Sequence, residues 1–305
     1  MNSYFKVILS ISLLIFFIYF IPLDLIGFTS ENIFSGKIST NLFEISKIIE
    51  VKNCLIQKLD DLNLIFNENE TWTKLDQIPT ECSSEMFENL PLLKAGTYEN
   101  KYFLPPLEPG FCSMVTFGIG QETFAEEIMK KKFPHCFFLG FDPDEVNKNI
   151  FEKKLNGMYV KAVIDGQKGE NTAHILSTDR RSMNVQKLEK TPAYELIENY
   201  HGKLKIIDLL NIDIEGSEYS LLDTFPDYPI YENICQFNVE FHAPFNYDEG
   251  YTVRQVYQVL RKLINSDTWL WIRSDNLYKF YFPSFFINIK NEICVEKYLK
   301  GKLLQ

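Results

Sequence analysis

No Cys-x-x-Cys pair occurs among the six cysteines, which removes zinc-ribbon and thioredoxin-like readings. Basic charge is in short supply: 31 Lys and Arg face 41 Asp and Glu, a formal charge of -10. That balance argues against a nucleic-acid partner held through phosphates. There is no internal repeat, no low-complexity tract and no long block of like charge to act as an interaction tail. Histidine is scarce, at four residues, so each one near other polar groups is worth weighing. What is abundant is core material. The 305 residues are 46% hydrophobic, with 26 Phe and 16 Tyr, ample for a sizeable globular core.

One apolar run stands apart. "VILSISLLIFFIYFIPL", residues 7 to 23, carries no charge, and residues 7–26 nearly meet the roughly 20 residues a spanning helix needs. Lys6 precedes it and no convincing small-x-small cleavage site follows. The expectation is an uncleaved signal anchor, with a cleaved signal peptide or a core helix as the alternatives. Residues 1–6 are then a cytosolic tail and the bulk lies in the secretory lumen. The cysteines suit that lumen. Cys54 and Cys82 lie in the less regular amino-terminal region and are the better disulfide candidates. Cys112, Cys136 and Cys235 sit in or beside predicted core strands, where cysteine serves as a small hydrophobe. "NET" at Asn69–Thr71 is the single glycosylation sequon.

Residues 27–108 read as a stem or amino-terminal helical extension with one amphipathic helix, packed on the main domain or standing in a stem, because Ile45, Ile48, Ile49, Leu55 and Leu59 recur at helical spacing. "FLPPLEPG" breaks the chain before a domain at 109–305. There the pattern alternates. "FCSMVTF", "CFFLGF", "MYVKAVI", "KIIDLLNIDI", "ICQFNVEFH", "TWLWIRS" and "YKFYFPSFFINI" read as strands, with helical segments between most of them. Such alternation predicts an α/β sheet covered on both faces, with ligands bound at the carboxyl ends of its strands.

Those strand ends carry the candidates. Gly118-x-Gly120 follows the first strand and permits a tight turn with close backbone approach, although Thr123 breaks the full GxGxxG. Asp142 follows the second strand at the spacing of a ribose-binding acid, or else caps the next helix with Pro143 at its first position. At the third strand end Ala162 to Asp165 could flank a base, or Asp165-Gly166 could form a surface turn. Asp213 and Glu215 share a face while extended, and Glu240 and His242 repeat that spacing on the fifth strand. A carboxylate within "LLNIDI" is costly to bury unpaired, so Asp213 should meet a cation, a hydroxyl or a metal. Glu218 falls in the first turn of a helix and favours its dipole. Asp213, Glu215, Glu240 and His242 together suit a general base, a divalent-cation site or a hydrogen-bonded structural cluster.

The ordered series "FGIG", "FPHCFFLGFDP", "IIDLLNIDIEGSEYSLL" and "CQFNVEFH" resembles the FkbM-type, S-adenosylmethionine-dependent methyltransferases, in particular an animal membrane-anchored group. The resemblance covers about residues 111–290. It implies a class I methyltransferase, Rossmann-like fold: a seven-stranded, mostly parallel sheet whose last strand, "YKFYFPSFFINI", is antiparallel. It further implies that Gly118, Ile119 and Gly120 pass under the methionine portion of S-adenosylmethionine. Asp142 and Pro143 would lie at the ribose and Ala162 and Val163 near the adenine. Two positions depart from the pattern. Thr116 stands where many methyltransferases carry an acid, and Phe141 replaces a small residue before Asp142-Pro143. The reading is an O-methyltransferase acting on a glycan, lipid or secreted small molecule in the lumen. Its rival is an inactive descendant of the fold that binds or scaffolds.

Overall fold

The computed structural model describes residues 34–300, apart from 64, 66, 88–89, 97–99, 121–122, 177–182, 204, 245–250 and 276–279. The expected membrane span at 7–26 lies outside the described residues. Among the described residues no helix is long and apolar enough to cross a membrane. Ser46–Gln305 form one compact unit.

The described chain opens with helices α1 (Phe34–Asn63), which belongs to the unit from Ser46 onward, α2 (Glu68–Leu75) and α3 (Ile78–Phe87), then a small hairpin of β1 (Leu93–Ala95) and β2 (Lys101–Phe103). The main body follows: β3 (Ser113–Phe117), α4 (Phe124–Lys132), β4 (Phe137–Asp142), α5 (Val146–Leu155), β5 (Met158–Lys161) and β6 (Val163–Asp165). Next come β7 (Gly169–Leu176), β8 (Met183–Pro192), α6 (Ala193–Leu196), β9 (Leu209–Ile212), α7 (Glu218–Thr224) and β10 (Gln236–His242). α8 (Val253–Asn265), β11 (Trp269–Ser274) and β12 (Tyr281–Asn288) follow.

Seven strands form the central sheet in the order β11-β12-β10-β9-β3-β4-β5. Neighbours from β5 to β10 pair parallel, while β12 pairs antiparallel with both β10 and β11. The inner parallel strands are buried along nearly their whole length, β3, β9 and β10 completely so, because helices cover both faces, while the edge strand β5 is largely open to solvent. The ends of β3, β4, β9 and β10 therefore open on one crevice, flanking the point where chain order reverses between β3 and β9.

α8 shows why these helices form. Thr252 and Gln255 make a reciprocal capping box at its start. Val253, Val256, Val259, Leu260 and Leu263 fall on one face, and all are buried. On the sheet side they meet an aromatic layer, in which Phe237 stacks on Phe286 at 4.5 Å and meets Trp269 edge-on at 4.9 Å. Such pairs add about 0.5–1.5 kcal/mol each beyond area burial.

The amphipathic helix takes one of its two expected placements, packed on the compact unit from Ser46 onward: Leu55 and Leu59 are fully buried, and Asn238 and Gln236 of β10 bond the β2 segment. Three expectations change. "MYVKAVI" is two strands, broken at Ala162, with β6 joining β7 and β8 in a separate three-stranded sheet. All six cysteines pair, as Cys54–Cys82, Cys112–Cys136 and Cys235–Cys294. Cys112, Cys136 and Cys235 are thus bonded rather than simple core thiols; parallel register sets Ser113 beside Phe137, which brings their preceding cysteines together. Asp165 is buried rather than at a surface turn, in an ion pair with Lys190 at 2.8 Å.

Candidate active site

The even-numbered residues of β10 form one polar row on one face of the strand. Its lower members hold backbone. Asn238 accepts from Tyr102 N at 2.7 Å and donates to Tyr102 O at 2.9 Å. Gln236 does the same for Leu104, at 2.7 and 3.1 Å. Two side-chain amides thus complete a ladder for the β2 segment, a use the strand pattern alone does not reveal.

The upper members, Glu240 and His242, meet the end of β9. Its regular pairing stops at Ile212, and Asp213 donates its N–H to Phe117 O at 2.9 Å. Glu215 then takes a left-handed φ of 53° and Gly216 one of 107°. Asp213 and Glu215 therefore converge through a turn, not through the shared face of an extended strand. His242 Nε2 lies 3.2 Å from Glu240 Oε1, 3.5 Å from Glu215 Oε2 and 3.9 Å from Asp213 Oδ1. All four expected site residues are brought together.

Glu218 is the residue that sequence reasoning missed. It is fully buried, its Oε2 accepts from Gly216 N at 2.6 Å, and its Oε1 is hydrogen-bonded to His242 Nδ1. It anchors the imidazole from behind, beyond any service to the helix dipole. The available signal was the pair of buried runs "IEGSEY" and "NVEFH" ending at neighbouring strands.

The electrostatics follow from this crowding. Burial alone lowers the His242 pKa, but Glu218, Glu240 and Glu215 outweigh it and hold the imidazole well above its ordinary 6.5. Burial raises Asp213 well above 3.8, and the Glu240 charge raises it further. The Asp213 and Glu215 side chains remain 23% and 24% exposed, against 5% for His242. A ligand entering the crevice meets those two carboxylates first. One ligand atom each from Asp213, Glu215 and His242 lies within 4.8 Å of the others, a donor set that also suits a divalent cation.

At the first strand end the two glycines do different work. A Cβ on Gly118 would stand 1.7 Å from Asp213 O, so Gly118 is packing, not cradle. Gly120, at φ 62°, has nothing within 4 Å of its missing Cβ and presents open backbone. Asp142 lies beneath this loop. Its Oδ2 accepts from Ile119 N at 2.8 Å and Gly120 N at 3.2 Å, and its Oδ1 from Asp144 N at 2.8 Å. Burial raises its carboxyl pKa against those bonds. Asp142 does not cap α5, which starts at Val146, and Pro143 precedes that helix rather than opening it. Ala162 N bonds Asp142 O at 3.2 Å, and Ala162 and Val163 are half-exposed on the far side. Phe141 is buried between Phe117 and Tyr200, with ring centroids at 5.5 and 5.8 Å, so its bulk fills the core behind the loop.

An open glycine turn, a buried carboxylate that fixes it from beneath and a half-exposed rim at the next strand end fit an adenosyl ligand. Where Thr116 departs from the pattern, Glu126 of α4 supplies a carboxylate. It is buried, and Oε1 accepts from Asn211 at 3.0 Å and from Thr116 Oγ1 at 3.3 Å, with Lys101 Nζ at 3.7 Å.

A parallel sheet with one antiparallel strand and this strand-end crevice defines the chain as a Rossmann-like methyltransferase in class. A family model described as the methyltransferase FkbM domain matches residues 80–265, more than half the chain, and the protein belongs to that family. Its cofactor is accordingly S-adenosylmethionine. No curated protein matches the chain. Among solved structures, M. capricolum TrmK bound to S-adenosyl-homocysteine is 14% identical, with 61% of this chain and 65% of that one covered and a TM-score of 0.33. The plantazolicin methyltransferase BpumL, also bound to S-adenosyl-homocysteine, is 11% identical over 81% of this chain and 99% of its own, with a TM-score of 0.36. These overlaps are too loose to carry residue roles from one chain to the other.

Proposed function

We propose that the protein transfers a methyl group from S-adenosylmethionine to a hydroxyl oxygen, with Asp213 as the proton acceptor. The observation that carries this reading is the convergence of Asp213, Glu215 and Glu240 on the buried His242. A carboxylate of ordinary pKa is a weak base toward a hydroxyl. Burial and a neighbouring charge strengthen Asp213 in the direction general-base catalysis needs. His242, held protonated by Glu218 and Glu240, keeps the crowded carboxylates from repelling one another. When bound, the cofactor supplies the activated methyl group. Gly120 and Ile119 would face it with backbone, Asp142 would hold its ribose, and Ala162 and Val163 would flank its base. Glu126 offers its carboxylate beside Thr116. Loss of the usual acid there is thus no reason to read the chain as an inactive binding or scaffold protein.

The compartment we favour is the secretory lumen, with residues 7–26 as the anchor. Three disulfides among the described residues suit an oxidising compartment, and Asn69 of the sequon is exposed on α2. The acceptor is then a hydroxyl of a glycan, a lipid or a secreted small molecule.

A second reading places a divalent cation on Asp213, Glu215 and His242, since their ligand atoms already cluster. The test is transfer of labelled methyl from S-adenosylmethionine into a luminal extract, with and without chelator. Transfer that persists in chelator and is lost in Asp213→Asn supports the base. Transfer lost in chelator and restored by magnesium or manganese supports the cation. Unchanged transfer in Asp213→Asn sinks the assigned role.

A further inference from the structure

The crevice occupies one end of the parallel sheet, and the opposite end, where the strands begin, carries a surface of another kind. Phe111, just ahead of β3, is 87% exposed; Phe137 and Met158, the first residues of β4 and β5, are 43% and 41% exposed. These strands are neighbours, and Phe137 N bonds Cys112 O at 2.8 Å, so Phe111 and Phe137 lie side by side. Helices that follow parallel strands return to this same end. α4 finishes with Lys130, Lys131 and Lys132, and α5 with Lys153 and Lys154. Lys131, Lys132 and Lys153 are exposed, while Lys154 is held by Glu127 at 2.8 Å and Lys130 leans on Phe138. Acids here are Glu108, in the loop before Phe111, and Glu296, paired with Lys300 and next to Lys297, whose Nζ bonds Phe111 O at 2.9 Å. Lysines at helix ends also offset the helix dipole. That does not account for three large apolar side chains left in water between them.

Chain direction adds an independent observation. Lys52 of α1 pairs with Asp267, just beyond the end of α8, whereas Asp60 accepts from Tyr257 Oη at 2.5 Å and Arg261 Nη2 at 3.3 Å, further back along it. The two helices therefore run in opposite directions, and the chain enters the unit at the end where strands begin. The apolar run of residues 7–26 lies ahead of that entry.

We propose that this rim, Phe111, Phe137 and Met158 with Lys131, Lys132 and Lys153, rests on a phospholipid bilayer surface. The apolar side chains enter the interface and the ammonium groups reach the headgroup phosphates. The crevice then faces away from the bilayer, toward acceptors in the aqueous phase. The proposal does not depend on methyl transfer; it shares only the anchor reading.

The test uses the full chain reconstituted into phosphatidylcholine vesicles, with acyl chains brominated. Phe111→Trp places a reporter on the rim. Phe280→Trp, at the start of β12 and 52% exposed, places one at the crevice end. Expected are strong quenching of the first and little of the second. Combined Lys131→Glu, Lys132→Glu and Lys153→Glu should set carboxylates against the headgroup phosphates, so that quenching collapses. Vesicle flotation reports the anchor separately. A chain that floats yet shows equal quenching at both positions, or none at Phe111→Trp, overturns the proposal, as would quenching insensitive to the three reversals. Protection of the rim reporter by a protein in place of lipid also overturns it.

Discussion

The lower and upper halves of the β10 polar row differ by two residues in position and entirely in use. Gln236 and Asn238 are neutral amides whose donors and acceptors are matched, atom for atom, to the backbone of Leu104 and Tyr102. Glu240 and His242 face further carboxylates instead, an arrangement that gains nothing as scaffolding and raises two pKa values. Polar alternation along a buried strand does not by itself mark a site. What separates scaffold from chemistry is whether the partners are complementary neutral groups or crowded charges.

That contrast can be broken by substitution. The largest effect is expected from Asp213→Asn, which should reduce turnover by about 10²–10⁴ while leaving cofactor binding and melting temperature nearly unchanged. Radiolabelled transfer and calorimetric titration measure the two sides. Asn238→Leu should do the reverse. It strands Tyr102 N and O in the interior, costs about 2–4 kcal/mol, and lowers the melting temperature on the order of 10 °C. If its turnover falls more than its stability, the division of the row is mistaken.

Next is Gly120→Asn. Asn tolerates the left-handed backbone there and meets no neighbour, so the fold should survive. Its side chain would occupy the space in front of the turn, and cofactor affinity should fall about tenfold or more, read by calorimetry.

The smallest change concerns pH. The proposed mechanism needs Asp213 ionised and His242 protonated, so the rate should rise through the raised Asp213 pKa and fall through the raised His242 pKa. Glu218→Gln removes the leading charge that raises His242 and should pull the alkaline limb toward lower pH. The same linkage acts on stability. Both folded-state pKa values exceed their unfolded values, so each stabilising contribution is full below the unfolded pKa. Each is lost as pH rises through the folded one: above 3.8 for Asp213 and above 6.5 for His242. Denaturant midpoints measured from mild acid to alkaline pH should therefore decline.

Much of the fold was legible because short apolar runs of strand length alternate with helical spacing, and the sheet needs little more. The hairpin of β7 and β8 was not, since "GENTAHIL" and "MNVQKLEKTP" carry no clean period of either kind. The four site residues were legible as pairs two apart at strand ends. Glu218 was hidden because a helix start explains an acid equally well without any imidazole behind it. The roles of Gly118 and Gly120 could not be told apart, because only the neighbouring chain decides which glycine faces a wall and which faces space. The bonds of Cys112 and Cys136 depend in the same way on strand register.

Gly118 leaves no room for even one carbon between the donor loop and the carbonyl of Asp213. The turn proposed to face the donor and the residue proposed to take the acceptor's proton are thus a single mechanical part. A displacement of one reaches the other by direct contact, with no relay. Grafting a different donor loop onto this sheet would therefore retune the acid as well, and the two cannot be engineered as independent modules.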